Sequence, residues 1–497
     1  VCKFAVKNPA FYAIFTWLRF NADLASQKNT GELSVRSKIL FAISFILFSS
    51  AWAAEETKTT AEPAATTEEA TAPAAEPFSF ADFTWMNGNN RQKTALLDSK
   101  YFTGSFLVDT NYIYDFNKPQ DHTLVGSTAA GRTNEFQVQQ LGVGGDFHYE
   151  HARGRLMTQF GMYSTMTPRN DASPARGQWN LPDAYKYISE AYGGYHWDEL
   201  NGINLDVGVF MSYVGLFSYY NFENWAYQAS YTSANTPWFF NGARLQVFPT
   251  DRLKLELWLI NGWQSYGMFN EMPGLGYQIA YRPTGDLSWV FNGYYGDDTL
   301  NNPGRSRIHS DNSVQYKYLD TPSKFVSKAA FSVTFDIGCE NGGGVKCWGG
   351  DSSAPSQYFL GAMIYNRLWF AHDKYAFTLG GGFINNPGRY LVLIPPVQTS
   401  TSGPGGGSTA INAAPDFTQN PGDQFHAWDA SATFDIMPDQ FVTFRTEFIH
   451  READVNYFAG PGGVTSPDGL NTTPRTGWAP DLTKSENRIN LAMMVRF

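Results

Sequence analysis

From Tyr101 onward, apolar and polar side chains alternate with a period of two, in stretches of about ten residues, the length a tilted strand needs to cross a bilayer. In 252–260, Leu253, Leu255, Leu257 and Leu259 point one way while Lys254 and Glu256 point the other. The C-terminus repeats the pattern: Ile489, Leu491, Met493, Val495 and Phe497 share one face, and Arg488, Asn490 and Arg496 the opposite one. Seven tight connections carry turn residues, at 151–153, 198–202, 249–251, 283–285, 321–324, 372–374 and 438–440. Between them fall eight longer, polar or Gly-rich connections, near 117–132, 165–184, 217–237, 264–273, 297–311, 338–356, 386–423 and 452–486. Short and long connections alternate throughout, the signature of an all-β, antiparallel up-and-down transmembrane barrel with short turns on one side and long loops on the other.

Sixteen strands follow, with an uncertainty of about two for a count by pattern. They pair as 101–116 with 133–150, 153–164 with 185–197, 203–216 with 238–248, 252–263 with 274–282, 286–296 with 312–320, 325–337 with 357–370, 375–385 with 424–437 and 441–451 with 487–497. At that strand number a barrel is too wide for side chains to fill, which predicts an aqueous channel. With the aliphatic set toward lipid, Asp109, Arg155, Arg244, Lys254, Glu256, Arg445 and Glu447 become candidate pore-lining residues, against the plainer reading of solvated polar surface. The connection 386–423 is the longest candidate to fold inward and narrow the pore.

Composition supports a membrane setting. Charged residues make up 16% of the chain, below the roughly 25% of soluble proteins, and aromatics also reach 16%. Mean hydropathy is nevertheless −0.33, so the apolar residues are dispersed among strands and not gathered into spanning helices. Aromatic groups at 192–197, 213–220, 238–240 and 289–295 read as girdles at the bilayer surface, although a soluble sandwich core also holds aromatics.

The N-terminal region reads in steps. Residues 1–34 are taken as an upstream extension outside the fold. Residues 35–53 read as a secretory signal: Arg36 and Lys38 form the basic start, 39–48 the apolar centre, and Ala51-Trp52-Ala53 the cleavage site. Residues 54–77, almost wholly Ala, Thr, Glu and Pro, predict a disordered periplasmic tail. Residues 78–100 stand between that tail and the barrel of 101–497, too few for a folded plug domain, which argues against an energy-coupled transporter. Removing residues 1–53 takes away six Lys/Arg and two Asp/Glu and moves the formal charge from −10 to −14, which argues against nucleic acid as a partner. Cys339 and Cys347, eight positions apart in a Gly-rich stretch of an exported chain, favour a disulfide over a metal site because no second ligand pair is near.

Specific motifs deepen the class reading. The stretch 215–263, with Asn224-Trp225, Pro237, Gly242-Ala-Arg244 and Asn261-Gly-Trp263, resembles the OmpL-like β-barrel porin family. So do Trp85-Met-Asn-Gly88, Arg91-Gln-Lys93, Asp109, Tyr112 and Pro119, and the strand ending in Phe497 resembles an outer-membrane assembly signal. The resemblance implies an outer-membrane channel for small hydrophilic solutes and ions, placed by the assembly machinery. It transfers no catalytic residues, cofactor or metal. Whether copies associate into a homo-oligomer is open. An enzyme or adhesin using the barrel as scaffold is the alternative, and a soluble all-β carbohydrate-binding protein a third. His148 and His151 lie three apart on a strand, on opposite faces, so they form no metal pair, and no local signature ties a His to a nucleophilic Ser. Gly142, Gly144 and Gly145 precede no helical pattern, so they suit strand bending or close packing better than phosphate binding.

Overall fold

The computed structural model describes residues 76–387 and 422–497, apart from Ala172, Phe269 and Arg475. The upstream extension, the signal and all but the last two residues of the tail lie outside the described residues, as does most of the 386–423 connection.

Among the described residues eighteen strands are present, and sixteen of them close one antiparallel barrel. The barrel strands are β1 Phe102–Asp115, β2 Phe136–Tyr149, β3 Ala152–Thr158, β4 Ile188–Trp197, β5 Ile203–Met211, β6 Phe239–Thr250, β7 Leu253–Ile260 and β8 Gly274–Thr284. They continue as β9 Leu287–Gly296, β10 Ser306–Asp320, β11 Val326–Asn341, β12 Tyr358–Phe370, β13 Tyr375–Asn385, β14 His426–Ile436, β15 Val442–Ala453 and, after a small loop ribbon of β16 Phe458–Ala459 with β17 Leu482–Thr483, β18 Ser485–Arg496. Each strand pairs with its sequence neighbour, and β1 closes on β18 with Val108 opposite Val495 and Tyr112 opposite Leu491. The barrel has no open edge, which is the condition for strands to sit in a medium that offers no hydrogen bonds.

The seven tight and eight long connections fall where the alternation places them. The rim is less even than the pattern predicts. β3 is only seven residues long, whereas β10 begins at Ser306, six residues before the expected 312, and β11 runs to Asn341. Polar side chains such as Arg307, His309 and Asp311 continue the inward alternation into what composition alone reads as loop. Gly144 permits close strand packing: a Cβ there would stand 1.9 Å from the Leu156 carbonyl oxygen of β3.

The outer surface carries the aliphatic and aromatic set, including Leu255, Leu257, Leu259, Ile364, Phe434, Phe444, Leu491 and Met493, all exposed. A one-residue slip in register would turn this set inward and send Arg445 and Glu447 into lipid, so register is strongly specified. The expected girdles are a correction. Tyr195, Trp197 and Trp289 do face outward, but Tyr213, Phe217, Tyr219, Tyr220, Phe240 and Tyr294 are buried inside the barrel, and Phe239, opposite Met211 on the outward face, is covered by Tyr266. The reason is that the connection carrying the group at 213–220 enters the lumen, and its rings pack on those of the wall.

Cys339, at the end of β11, and Cys347, in the following long loop, form the expected disulfide. Labelling of intact cells with a maleimide should modify neither cysteine before reduction and both afterwards; quantitative labelling without reductant would overturn the pairing. Phe497 joins the seam: its N–H donates to the Phe106 carbonyl at 2.8 Å, and the Phe106 N–H returns a bond to the Phe497 carbonyl at 3.0 Å. Its ring lies 6.1 Å from that of Phe106 and 5.7 Å from that of Phe441. Deleting Phe497 should lower the amount of heat-modifiable barrel in the membrane fraction, read by gel shift; unchanged assembly would count against the role.

Candidate functional site: the constriction of the barrel

The long connection between β5 and β6, residues 212–238, leaves the wall at Gly215, whose φ of 99° opens a turn that an L side chain rarely adopts. It then crosses the interior. Its composition suits burial. Glu223 is its one charged residue, and it carries Tyr213, Tyr219, Tyr220, Trp225, Tyr227 and Tyr231 among Ser, Thr, Asn and Gln.

Irregular backbone at this depth needs partners for every N–H and carbonyl, and the far wall supplies them. Glu447 of β15 accepts the N–H groups of Tyr227 at 2.6 Å and Gln228 at 2.9 Å. Asp429 of β14 accepts the Ser230 hydroxyl at 2.7 Å and the Tyr231 N–H at 2.9 Å. Asp109 of β1 accepts the Asn221 amide at 2.8 Å and the Tyr227 hydroxyl at 3.1 Å. Cations serve the carbonyls: Arg445 donates to Asn224 O at 2.6 Å and Arg367 to Trp225 O at 3.2 Å. Both guanidiniums are held by Asp435, at 2.7 Å from Arg445 Nε and 2.7 Å from Arg367 Nη2. Burial pushes the phenols of Tyr219, Tyr220, Tyr227 and Tyr231 well above their ordinary range, so they remain neutral.

A second element lies beneath the loop at the short-turn end. Residues 78–93 run as a strap from one side of the mouth to the other. Phe78 N–H donates to Asp251 O at 2.7 Å, and the Trp85 indole to Gly285 O at 3.0 Å. Across the mouth, Arg91 donates to Asp439 O at 2.8 Å and Val442 O at 2.7 Å, and Gln92 to Arg496 O at 2.8 Å. Burial pushes Arg91 down to about 10, leaving it a cation at neutral pH. Strap and loop are joined directly: Trp225 donates its N–H to Asn87 Oδ1 at 2.8 Å and its indole N–H to Trp85 O at 3.1 Å. Phe83, Trp85 and Met86 of the strap pack with Phe217 and Trp225 of the loop and with Tyr365 and Trp369 of the wall.

Residues 221–231 of the loop are fixed to β1 and β12–β18, whereas Tyr213 bonds to Gly293 O of β9 and to Gln278 of β8, and Tyr220 to Glu190 of β4. Space is left between the loop and the β6–β10 wall. A cavity of about 320 Å³ opens there between strap, loop and wall. The candidate pore-lining residues all point inward but divide into two groups. Asp109, Arg445 and Glu447 are buried under the loop as its anchors. Arg244, Lys254 and Glu256 line the cavity. Arg155 lies apart, bonded to Glu190 and at 2.6 Å from Asp146. The anchors Arg367, Asp429 and Asp435, and the strap residues Trp85 and Asn87, are functional positions that alternation alone does not distinguish from other inward residues. The signal that points to 212–238 is its near absence of charge in a connection on the long-loop side, where the other loops are polar.

Residues 101–497, the whole barrel, match the family described as "Putative beta-barrel porin-2, OmpL-like". The chain belongs to this porin family. No curated protein sequence matches it. Among solved structures it is similar to an anion-selective porin from Comamonas acidovorans, with 11% identity, a TM-score of 0.44, and 80% of this chain and 99% of that one covered. It is also similar to OmpT of Vibrio cholerae, with 9% identity, a TM-score of 0.43, and 81% and 100% covered. A third is the outer-membrane channel DcaP of Acinetobacter baumannii, with 11% identity, a TM-score of 0.43, and 80% and 97% covered. As a member of this family, the porin is an outer-membrane protein.

Removing Arg445 leaves Asp435 partly unpaired and loop carbonyls without donors, a change that costs about 3–5 kcal/mol for a buried pair. Arg445→Ala should therefore leave the barrel assembled but make single-channel current larger and noisier in planar bilayers. Deleting residues 78–93 should raise conductance as well. Currents unchanged in both variants would show that loop and strap do not narrow the path.

Proposed function

We propose that this porin passes small hydrophilic solutes and ions by passive diffusion along one side of its lumen, between the constriction loop and the β6–β10 wall. The observation that carries this reading is the one-sided anchoring of residues 221–231, the part of the loop that crosses the lumen. Every charged anchor that serves residues 221–231 comes from β1 or from β12–β18, while the cavity at the opposite wall keeps polar side chains such as Gln278, Ser313 and Gln315. A path bounded by fixed charges and amides replaces part of the hydration shell of a small solute, and its width sets a size limit. Narrowing by loop and strap together gives a smaller opening than sixteen strands alone would leave.

Barrel protein reconstituted in liposomes should admit small sugars and amino acids, with flux falling as solute size rises, and should show stepwise conductance in planar bilayers. Folded protein that passes neither solute nor current would overturn the reading and favour the barrel as scaffold for an enzyme or adhesin.

A further inference from the structure

The charges around the cavity are not evenly presented. Three cations, Arg244, Lys254 and Arg282, line it against one carboxylate, Glu256. That carboxylate is spent on its neighbours: it accepts Lys254 Nζ at 2.7 Å, the Gln246 amide at 2.7 Å and the Trp258 indole at 3.0 Å, and its side chain is 2% exposed. Behind the cavity wall, Asp206 is fully buried between Arg153 at 3.3 Å and Arg244 at 2.7 Å, one carboxylate for two guanidiniums. The cationic heads keep more contact with the lumen than their partners, with side-chain exposures of 29% for Arg153, 14% for Arg244 and 20% for Lys254.

Arg282 completes the arrangement. It lies 4.4 Å from the ring centre of Phe78 and 4.6 Å from that of Phe83, both in the strap. It pairs with no carboxylate among the described residues, and its Nε is buried without a hydrogen-bond acceptor. Beside these cations lie Trp258 and Tyr213, largely buried against each other with ring centres 4.8 Å apart and presenting a small part of their surface to the cavity. In a confined site of low dielectric, an excess of cations over carboxylates of this kind raises the local concentration of anions, whatever the net charge of the chain. An aromatic wall adds favourable contact for an organic body attached to the anionic group.

We infer that this chamber is a binding subsite for small organic carboxylates, so that the porin prefers anions although its chain carries a formal charge of −10. The carboxylate is placed against Lys254 and Arg282, and the organic part against Trp258 and Tyr213. The inference rests on the porin reading and adds to it the class of solute.

The test uses the barrel protein in planar bilayers. In a potassium chloride gradient the reversal potential should report anion preference, and benzoate should reduce chloride current at concentrations about tenfold lower than benzamide, its neutral analogue. Lys254→Gln and Arg282→Gln, singly and together, should bring the permeability ratio toward unity and abolish the benzoate advantage while current persists; Lys186→Gln, on a long loop, should change neither. Benzoate and benzamide acting alike on an anion-selective channel would overturn the carboxylate subsite. A conducting channel that prefers cations would overturn the inference while leaving the porin intact. Absence of any current in folded protein would overturn the porin reading itself, and the subsite with it.

Discussion

A chain segment that leaves a β-barrel wall and enters the lumen takes its amide groups away from their ladder, and each must find a new partner within the protein. In this porin the demand is met by side chains of the opposite wall. Carboxylates of Glu447, Asp429 and Asp109 take up loop donors, while guanidiniums of Arg445 and Arg367 take up loop carbonyls. Asp435, buried between the two arginines, pairs with both, and Glu447 and Asp109 add further negative charge beside Arg445. Such groups are costly to desolvate, and they are tolerated because each is paired and hydrogen-bonded in the same place.

This anchoring makes the lumen asymmetric. One half of the wall is covered by the loop and the other remains open to solute. The strap reinforces the division from the short-turn side, since Trp225 is bonded at once to Asn87 and to the Trp85 carbonyl. Loop and strap together bury rings that would otherwise meet water, at roughly 1.5–3 kcal/mol for each large side chain removed from it. The interior is therefore part packed core and part passage, and the same aromatic residues serve both, with Tyr213 and Trp258 at the boundary.

The balance of charge follows the same division. Beneath the loop, carboxylates and cations alternate and compensate one another. At the open wall, the acids are the better buried members of their pairs, because Asp206 and Glu256 accept several bonds each and the longer Arg and Lys side chains reach past them. Net charge, a property of the whole surface, is no guide to what a solute meets in the passage.

Much of the fold was already legible in the chain. A period of two with apolar residues at 253, 255, 257 and 259, and alternating short and long connections, determined the class, the strand number and the order of pairing, because they record local geometry and the two media on either side of a sheet. The inward face of Arg244, Lys254, Arg445 and Glu447 came with them, and the family resemblance stood on residues of the same stretch. Which inward residues would meet solute did not. Arg445 and Lys254 both face inward from their strands, and only the course of residues 212–238, set by contacts more than two hundred positions away in sequence, puts one under a loop and the other on a cavity. The aromatics at 213–220 resemble girdle residues in composition, and their burial depends on the far wall offering Asp429 and Glu447 at the right height. Alternation is a property of neighbours along a strand, whereas the site is made by strands on opposite sides of a closed sheet, and only the tertiary structure brings those together.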